Sequence, residues 1–198
     1  MATLLLKKSY RHKDLKEIKF NDLWDSHGVF TTMRVIGKPA KILFFKDHIN
    51  NLIRSLKIYK INKKNIKKNI LKLIRLNISN KKKYDHLFRV ASNHKMISIS
   101  LRKRLKPKLN FTLKLVNYKR IDPEYKNLKY KKILSFLKKM DTTKSDIALY
   151  KDNKILETGT SNLLFIKKNK IYSPINNYYR GTTFKFFSKK LKKIIRKN

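Results

Sequence analysis

The spacing of hydrophobic and polar positions changes period several times along the chain, and each change marks an element. Alternation over 29–36, a turn at Gly37-Lys38-Pro39 and a second apolar stretch over 40–45 predict two consecutive strands. Asp47 reads as an N-cap, after which Ile49, Leu52, Ile53 and Leu56 share one helical face. Ile66, Ile70, Leu73 and Ile74 repeat that spacing over about 65–76. Period two returns after Asp85. Segments 87–91 and 96–101 read as a hairpin, and Leu109, Phe111, Leu113 and Leu115 alternate with polar residues as a strand with one buried face.

Beyond Asp122-Pro123, Ile133, Leu134, Leu137 and Met140 predict a helix over about 128–140. Two hairpins follow. One joins 147–150 to 154–157 through Asp152-Asn153, and the other joins 163–166 to 170–172 through Lys168-Asn169. A basic amphipathic helix is expected from Thr182 to about Arg196, with Phe187, Leu191, Ile194 and Ile195 on its apolar side. The reading is an α+β fold in two lobes. Residues 1–120 form a small N-terminal α/β lobe and 121–198 a shortened C-terminal cofactor-binding lobe, with 120–125 as the joint.

Composition narrows the class. The 198 residues suffice for a buried core, and the 41% hydrophobic content argues for a folded chain despite a net charge of +40. Lysine far outnumbers arginine and is scattered among Asn and Ile, the signature of an AT-rich coding bias rather than of one basic tail. No nucleic-acid-binding module is recognisable, so nucleic acid is a possible but unfavoured partner. The summed positive field favours small anionic ligands. Cysteine is absent, which excludes disulfides and thiolate chemistry and fits a reducing, cytoplasmic setting. The apolar start of the chain is too short for a signal peptide, and no run approaches membrane-spanning length. The five histidines show no metal-ligand spacing, and no metal is expected.

Four stretches carry candidate chemistry: 28–34 (Gly-Val-Phe-Thr-Thr-Met-Arg), 127–130 (Asn-Leu-Lys-Tyr), 157–163 (Glu-Thr-Gly-Thr-Ser-Asn-Leu) and 181–183 (Gly-Thr-Thr). Three of the four glycines fall inside them. A lysine at a helix boundary, a carboxylate entering a loop of small hydroxyl residues, and a Gly-Thr-Thr turn opening a helix are what a pyridoxal phosphate site needs. Lys129 can form a Schiff base, Glu157 can keep a pyridine nitrogen protonated, and Thr182 and Thr183 can hold a phosphate at a helix N-terminus. Glu157 is one of few acids in the chain, and an ordinary strand-end ion pair is its plain alternative. His48 reads as a structural histidine.

Taken in order, these stretches resemble the class IV aminotransferases, the fold-type IV pyridoxal phosphate enzymes with a D-amino-acid aminotransferase-like fold. The 28–35 strand is similar to the family's Gly-x-Phe-Glu-Thr-x-Arg. The 47–55 helix is similar to its His-x-x-Arg-Leu-x-x-Ser, and Leu128-Lys129 falls at its Schiff-base lysine. The run 157–163 is similar to Glu-x-x-x-x-Asn-hydrophobic, and 181–183 resembles its Gly-Ile-Thr-Arg turn. The resemblance covers about 22–190.

It implies catalytic roles for Lys129 and Thr31, cofactor contacts from Glu157, Asn162, Thr182, Thr183 and Arg54, and a homodimer; Arg89 is read as the group for a substrate carboxylate, with a solvent-facing strand cation as its plain alternative. Thr31 stands where transaminases of the family usually have Glu, which points to the branch of 4-amino-4-deoxychorismate lyase and so to folate biosynthesis. A branched-chain or D-amino-acid transaminase and an RNA-binding protein on a decayed enzyme fold are the alternatives. Two departures accompany the resemblance. Asn51 and Phe184 replace family arginines, with Arg54 one turn beyond Asn51, and the family usually continues past the last helix predicted here.

Overall fold

Period-two segments of the N-terminal half pair into one antiparallel sheet in the computed structural model, which describes residues 4–61, 63–191 and 194–196. The chain divides into two compact units. One takes residues up to 105 together with 126–129, and the other takes 106–125 together with the residues from 130 onward.

The N-terminal unit contains β1 (Leu4–Arg11), β2 (Glu17–Ile18), β3 (Gly28–Gly37), β4 (Lys41–Ile42), α1 (Phe45–Ile58), α2 (Ile66–Asn77), β5 (Tyr84–Asn93) and β6 (Met96–Lys103). The sheet order is β2-β1-β6-β5-β3-β4. Alternation along β3 sends Val29, Met33 and Val35 to one face, where they pack with Ile49, Leu52 and Leu56 of α1 and Ile70 and Leu73 of α2. Phe88, Val90, Ile97 and Ile99 complete that core from β5 and β6. Each such side chain contributes roughly 1.5–3 kcal/mol on burial.

Several boundaries differ from the sequence expectation. The N-terminal segment, unassigned by its pattern, is β1, paired along most of its length with β6. The strand expected over 40–45 is only Lys41–Ile42, because Phe44 turns at φ 52° and the helix starts at Phe45. Asp47 therefore lies in the first helical turn, where its charge complements the helix dipole, rather than at the N-cap.

The C-terminal unit holds β7 (Thr112–Asn117), α3 (Lys131–Leu137), β8 (Ser145–Lys151), β9 (Lys154–Thr158), β10 (Phe165–Lys167), β11 (Lys170–Ser173), α4 (Thr182–Lys190) and β12 (Ile194–Arg196). Two three-stranded sheets form, β7-β8-β9 and β10-β11-β12. Both expected hairpins are present. Their turns place Asp152 and Asn153 at φ 50° and 58°, and Lys168 and Asn169 at φ 47° and 56°, the left-handed pairs that a tight hairpin needs. Ile133 of α3 packs on Ile147 and Leu149 of β8.

Three expectations fail here. The strand over 109–115 has no buried apolar face: Leu109, Phe111, Leu113 and Leu115 are exposed, and Val116 is the residue that packs inward from the edge strand β7. The helix expected over 128–140 is confined to 131–137, because the residues before it hydrogen-bond to β3 instead. The terminal helix stops at Lys190, and residues 194–196 pair in parallel with β11 as a strand, so Ile194 and Ile195 belong to a sheet.

Candidate functional site

Lys129 ends a short extended segment that adds to the edge of β3. The Phe30 N–H donates to the Lys126 carbonyl at 2.8 Å, the Leu128 N–H donates to the Gly28 carbonyl at 2.9 Å, and Asn127 bridges Val29. The Asp25 N–H in turn donates to the Leu128 carbonyl at 2.8 Å. Gly28 is required by this arrangement. A Cβ there would lie 2.5 Å from the Ser92 carbonyl oxygen and 2.7 Å from Leu128 Cδ1. Lys129 is thus fixed by backbone pairing on its N-terminal side, and its Nζ donates to the Asp25 carbonyl at 3.0 Å.

The pleat separates residues that are adjacent in sequence. Thr31 lies on the helix-packed face, 2% exposed, and its Oγ1 shares a 2.9 Å hydrogen bond with His48 Nδ1 of α1. Burial, aided by the nearby Lys126 and opposed by Asp47, pushes the His48 pKa down to about 4, so the imidazole is neutral at physiological pH. Arg89 of β5 lies on the other face, directly opposite Thr32. Its guanidinium carbon is 3.7 Å above the Trp24 ring, and burial lowers its pKa to about 10, with Arg102 adding to the fall against Asp22. Thr31 and Arg89 are therefore on opposite sides of the sheet. Arg54 is exposed on α1.

Within the C-terminal unit, Glu157 ends β9 and is buried with Arg120. Arg120 Nε donates to Glu157 Oε1 at 2.6 Å, and both side chains are less than 10% exposed (4% and 7%). The same guanidinium donates to the carbonyls of Pro123 at 2.7 Å and Tyr125 at 3.3 Å. The Tyr179 N–H donates to Glu157 Oε2 at 3.3 Å. A carboxylate so paired stays ionised, which is the state that would hold a basic ring nitrogen in its protonated form.

Asn162 clamps the turn before α4, with its side-chain amide donating to the Tyr179 carbonyl at 2.5 Å and its Oδ1 accepting from Gly181 N–H at 3.0 Å. A Cβ on Gly181 would come within 2.9 Å of that oxygen. Gly181 is the N-cap of α4, with no side-chain cap bond, so Thr182 (buried) and Thr183 (exposed) open the helix. Its first N–H groups and the Thr hydroxyls suit a phosphate. Taken with Glu157, these residues fit a cofactor carrying a basic ring nitrogen and a phosphate.

Sequence reasoning missed Arg120, which stands in the segment assigned to the joint. Its signal was an arginine in a lysine-dominated chain, since a planar guanidinium directs donors from three separate nitrogens to spread-out acceptors, where an ammonium offers all of its donors from one point. Tyr130 was missed as well. It is buried, its hydroxyl donates to the Gly159 carbonyl, and burial raises its pKa.

The fold and these residues define the class. Residues 28–196 match the family model of amino-transferase class IV, and the chain belongs to that family, whose cofactor is pyridoxal phosphate. No curated protein sequence matches the chain. Among solved structures, a branched-chain aminotransferase from the thermophilic archaeon Thermoproteus uzoniensis with norvaline superposes with TM-score 0.72 at 15% identity, covering 95% of this chain and 76% of that one. A protein assigned as 4-amino-4-deoxychorismate lyase from Haemophilus somnus 129pt gives 0.65 at 20% identity, covering 86% of each chain. The PLP-bound form of a hypothetical aminotransferase from Mycobacterium tuberculosis gives 0.69 at 12% identity, with coverages of 97% and 81%. At these identities the likeness is one of fold, that of the fold-type IV enzymes. Among the described residues no helix is long and apolar enough to cross a membrane.

Proposed function

We propose that the chain binds pyridoxal phosphate through Lys129 and releases pyruvate from 4-amino-4-deoxychorismate, leaving 4-aminobenzoate. The observation that carries the lyase reading is the residue after Phe30. Where transaminases of the family usually place a carboxylate, this chain has a buried threonine bonded to a neutral histidine, so that position carries no charge.

The cofactor, when bound, supplies an electron sink for the charge left by proton removal. Lys129 would hold it through its amine, and the same Nζ would be the base for the proton at C4 of the substrate ring. Breaking the C–O bond to the enolpyruvyl group then aromatises the ring. The departing enolpyruvate takes up one proton to become pyruvate, so no acceptor keto acid is consumed. Glu157, kept anionic by Arg120, is the group for the ring nitrogen, and Thr182, Thr183 and the start of α4 are the groups for the phosphate. Arg89 is the cation for a substrate carboxylate.

The test is pyruvate release from 4-amino-4-deoxychorismate by the purified chain with excess pyridoxal phosphate and no keto acid. Amino transfer from branched-chain or D-amino acids to 2-oxoglutarate, with no pyruvate formed, would replace the lyase by a transaminase. In the lyase the Lys129→Ala variant loses pyruvate release. Borohydride reduction followed by peptide mapping then finds no cofactor at position 129, whereas the parent carries it there.

A further inference from the structure

The turn after β1 and the turn between β5 and β6 lie side by side, because β1 pairs with β6 from Arg11 opposite Met96 onward. Both turns are closed by their own hydrogen bonds. The Arg11 N–H donates to the Lys16 carbonyl at 3.1 Å, and Asn93 Oδ1 accepts the N–H groups of Lys95 at 2.9 Å and Met96 at 3.0 Å. A third wall comes from the loop entering α2, which presents Lys63 and Lys64 between two apolar residues seated in the core, Ile61 and Ile66. The three segments border an open cavity of about 660 Å³, within the size range of small-molecule sites.

Its charge is one-sided. Lys13, Lys63, Lys64 and Lys95 line it with His12 and His94, and the single acid among the lining residues, Asp14, is already held by Arg11 at 2.7 Å and by the Lys16 N–H at 3.0 Å. The buried imidazole registers the crowding: burial pushes the His12 pKa down, and Lys63 and His94 add to the fall against the Asn93 carbonyl. His12 Nε2–H donates to that carbonyl at 2.9 Å, which leaves Nδ1 buried with no partner among the described residues. The start of α2 adds to the imbalance. Its first turn contains no acid, Asn65 at the N-cap makes no side-chain cap bond, and the helix dipole is positive at the end where Lys63 and Lys64 stand. Like charges held together in this way repel until an anion joins them. Among the described residues no arginine lines the cavity, so it lacks the fork that reads a planar carboxylate. An ammonium is a compact point charge that suits phosphate oxygens spread in several directions. One phosphate group carries about −1.5 to −2 at neutral pH, so a linked pair or triplet is needed to match four ammonium charges.

We propose that this cavity binds a small oligophosphate, the chain of two or three linked phosphates found in a nucleoside di- or triphosphate or in free polyphosphate. The assignment is independent of the reaction proposed above, since none of the residues given a role there lines the cavity. Cations gathered around a concavity favour a compact anion over a nucleic acid strand, which needs an extended basic track.

The chain loaded with pyridoxal phosphate is titrated calorimetrically with tripolyphosphate at about 0.15 M salt, where exposed charges more than about 8 Å apart are largely screened. Saturable binding of one equivalent is expected. Lys63→Gln with Lys64→Gln weakens it by about tenfold or more, and Lys13→Gln with Lys95→Gln, from the two turns, does the same. Lys81→Gln with Lys82→Gln removes an equal charge from an exposed turn outside the cavity and stays within about twofold of the parent. Titration with ATP separates the sources: binding tighter than that of tripolyphosphate marks a nucleotide as the ligand, and equal or weaker binding marks a free oligophosphate. Equal losses from all three lysine pairs would overturn the site, because net charge alone would then be the cause. Absence of saturable binding would overturn it too, as would orthophosphate or citrate binding as tightly as tripolyphosphate. Tighter binding of a single-stranded oligoribonucleotide, weakened equally by every pair, would replace it with a nucleic-acid surface.

Discussion

Arg120→Ala is the perturbation that separates a designed carboxylate environment from an ordinary strand-end acid. In the folded chain the guanidinium holds Glu157 Oε1 at 2.6 Å and two backbone carbonyls at 2.7 and 3.3 Å, with both side chains under 10% exposed (4% and 7%). Removing it leaves a buried carboxylate without its cation, while the Tyr179 N–H at 3.3 Å remains on Oε2. Breaking one side of a buried pair costs about 3–5 kcal/mol, a large part of the roughly 5–15 kcal/mol that a domain has in total. With a urea slope of about 1–3 kcal/mol per molar, the unfolding midpoint read by far-UV circular dichroism should fall by on the order of 2 M. The double variant Arg120→Met with Glu157→Leu removes both charges and should recover part of that loss, because no buried charge is then left unpaired, although the Pro123 and Tyr125 carbonyls and the Tyr179 N–H lose these partners. A cost below about 1 kcal/mol for Arg120→Ala would refute the reasoning, and so would a double variant less stable than the single one.

Gly28→Ala should destabilise by about 1–3 kcal/mol in the same assay, since its methyl meets the Ser92 carbonyl oxygen and Leu128; an unchanged midpoint would mean that the 126–128 segment shifts without cost. The His48 pKa is depressed from 6.5 to about 4 in the folded state. The unfolded chain therefore binds the extra proton first as pH falls below 6.5, and stability drops between pH 6.5 and 4 by up to about 3 kcal/mol. His48→Asn removes that dependence, and a variant with the parental pH slope would assign it elsewhere. Glu157→Gln should lower kcat by on the order of a hundredfold or more while perturbing the melting temperature less than Arg120→Ala does, because a neutral amide keeps the shape but not the charge; equal turnover would leave Glu157 with a structural role only.

Elements with strong local signals were legible in the sequence. The hairpins at Asp152-Asn153 and Lys168-Asn169 announce themselves by residues that tolerate positive φ, and the helix over 66–77 by its apolar spacing. What the pattern concealed depended on partners distant in sequence. The segment before Lys129 has helical spacing on its C-terminal side, yet 126–128 are drawn into hydrogen bonds with β3, nearly a hundred residues earlier. Ile194 and Ile195 read equally well as the apolar side of a helix, and only pairing with β11 decides otherwise. The alternation at 109–115 predicts burial, but β7 lies at the edge of its sheet and those leucines remain exposed.

The candidate site shows the same division. Residue types and their order single out Lys129 and Glu157 as candidates, because a lysine and a scarce acid in those settings are visible without coordinates. Their support was not visible. Glu157 can remain ionised in a buried position because Arg120, thirty-seven residues earlier, comes within 2.6 Å of it, and no local spacing encodes that encounter. The Thr31-Thr32 pair is the sharper case. The sequence presents two equivalent hydroxyls, and family likeness directs attention to the first. Strand geometry then assigns them to opposite faces: Thr31 to the helices and His48, Thr32 to Arg89 and the aromatic cluster around Trp24. Two side chains separated by one peptide bond thus have different chemistry available to them. On the proposed lyase reading, an uncharged Thr31 keeps a carboxylate away from an anionic substrate, an effect that acts through the field rather than through contact.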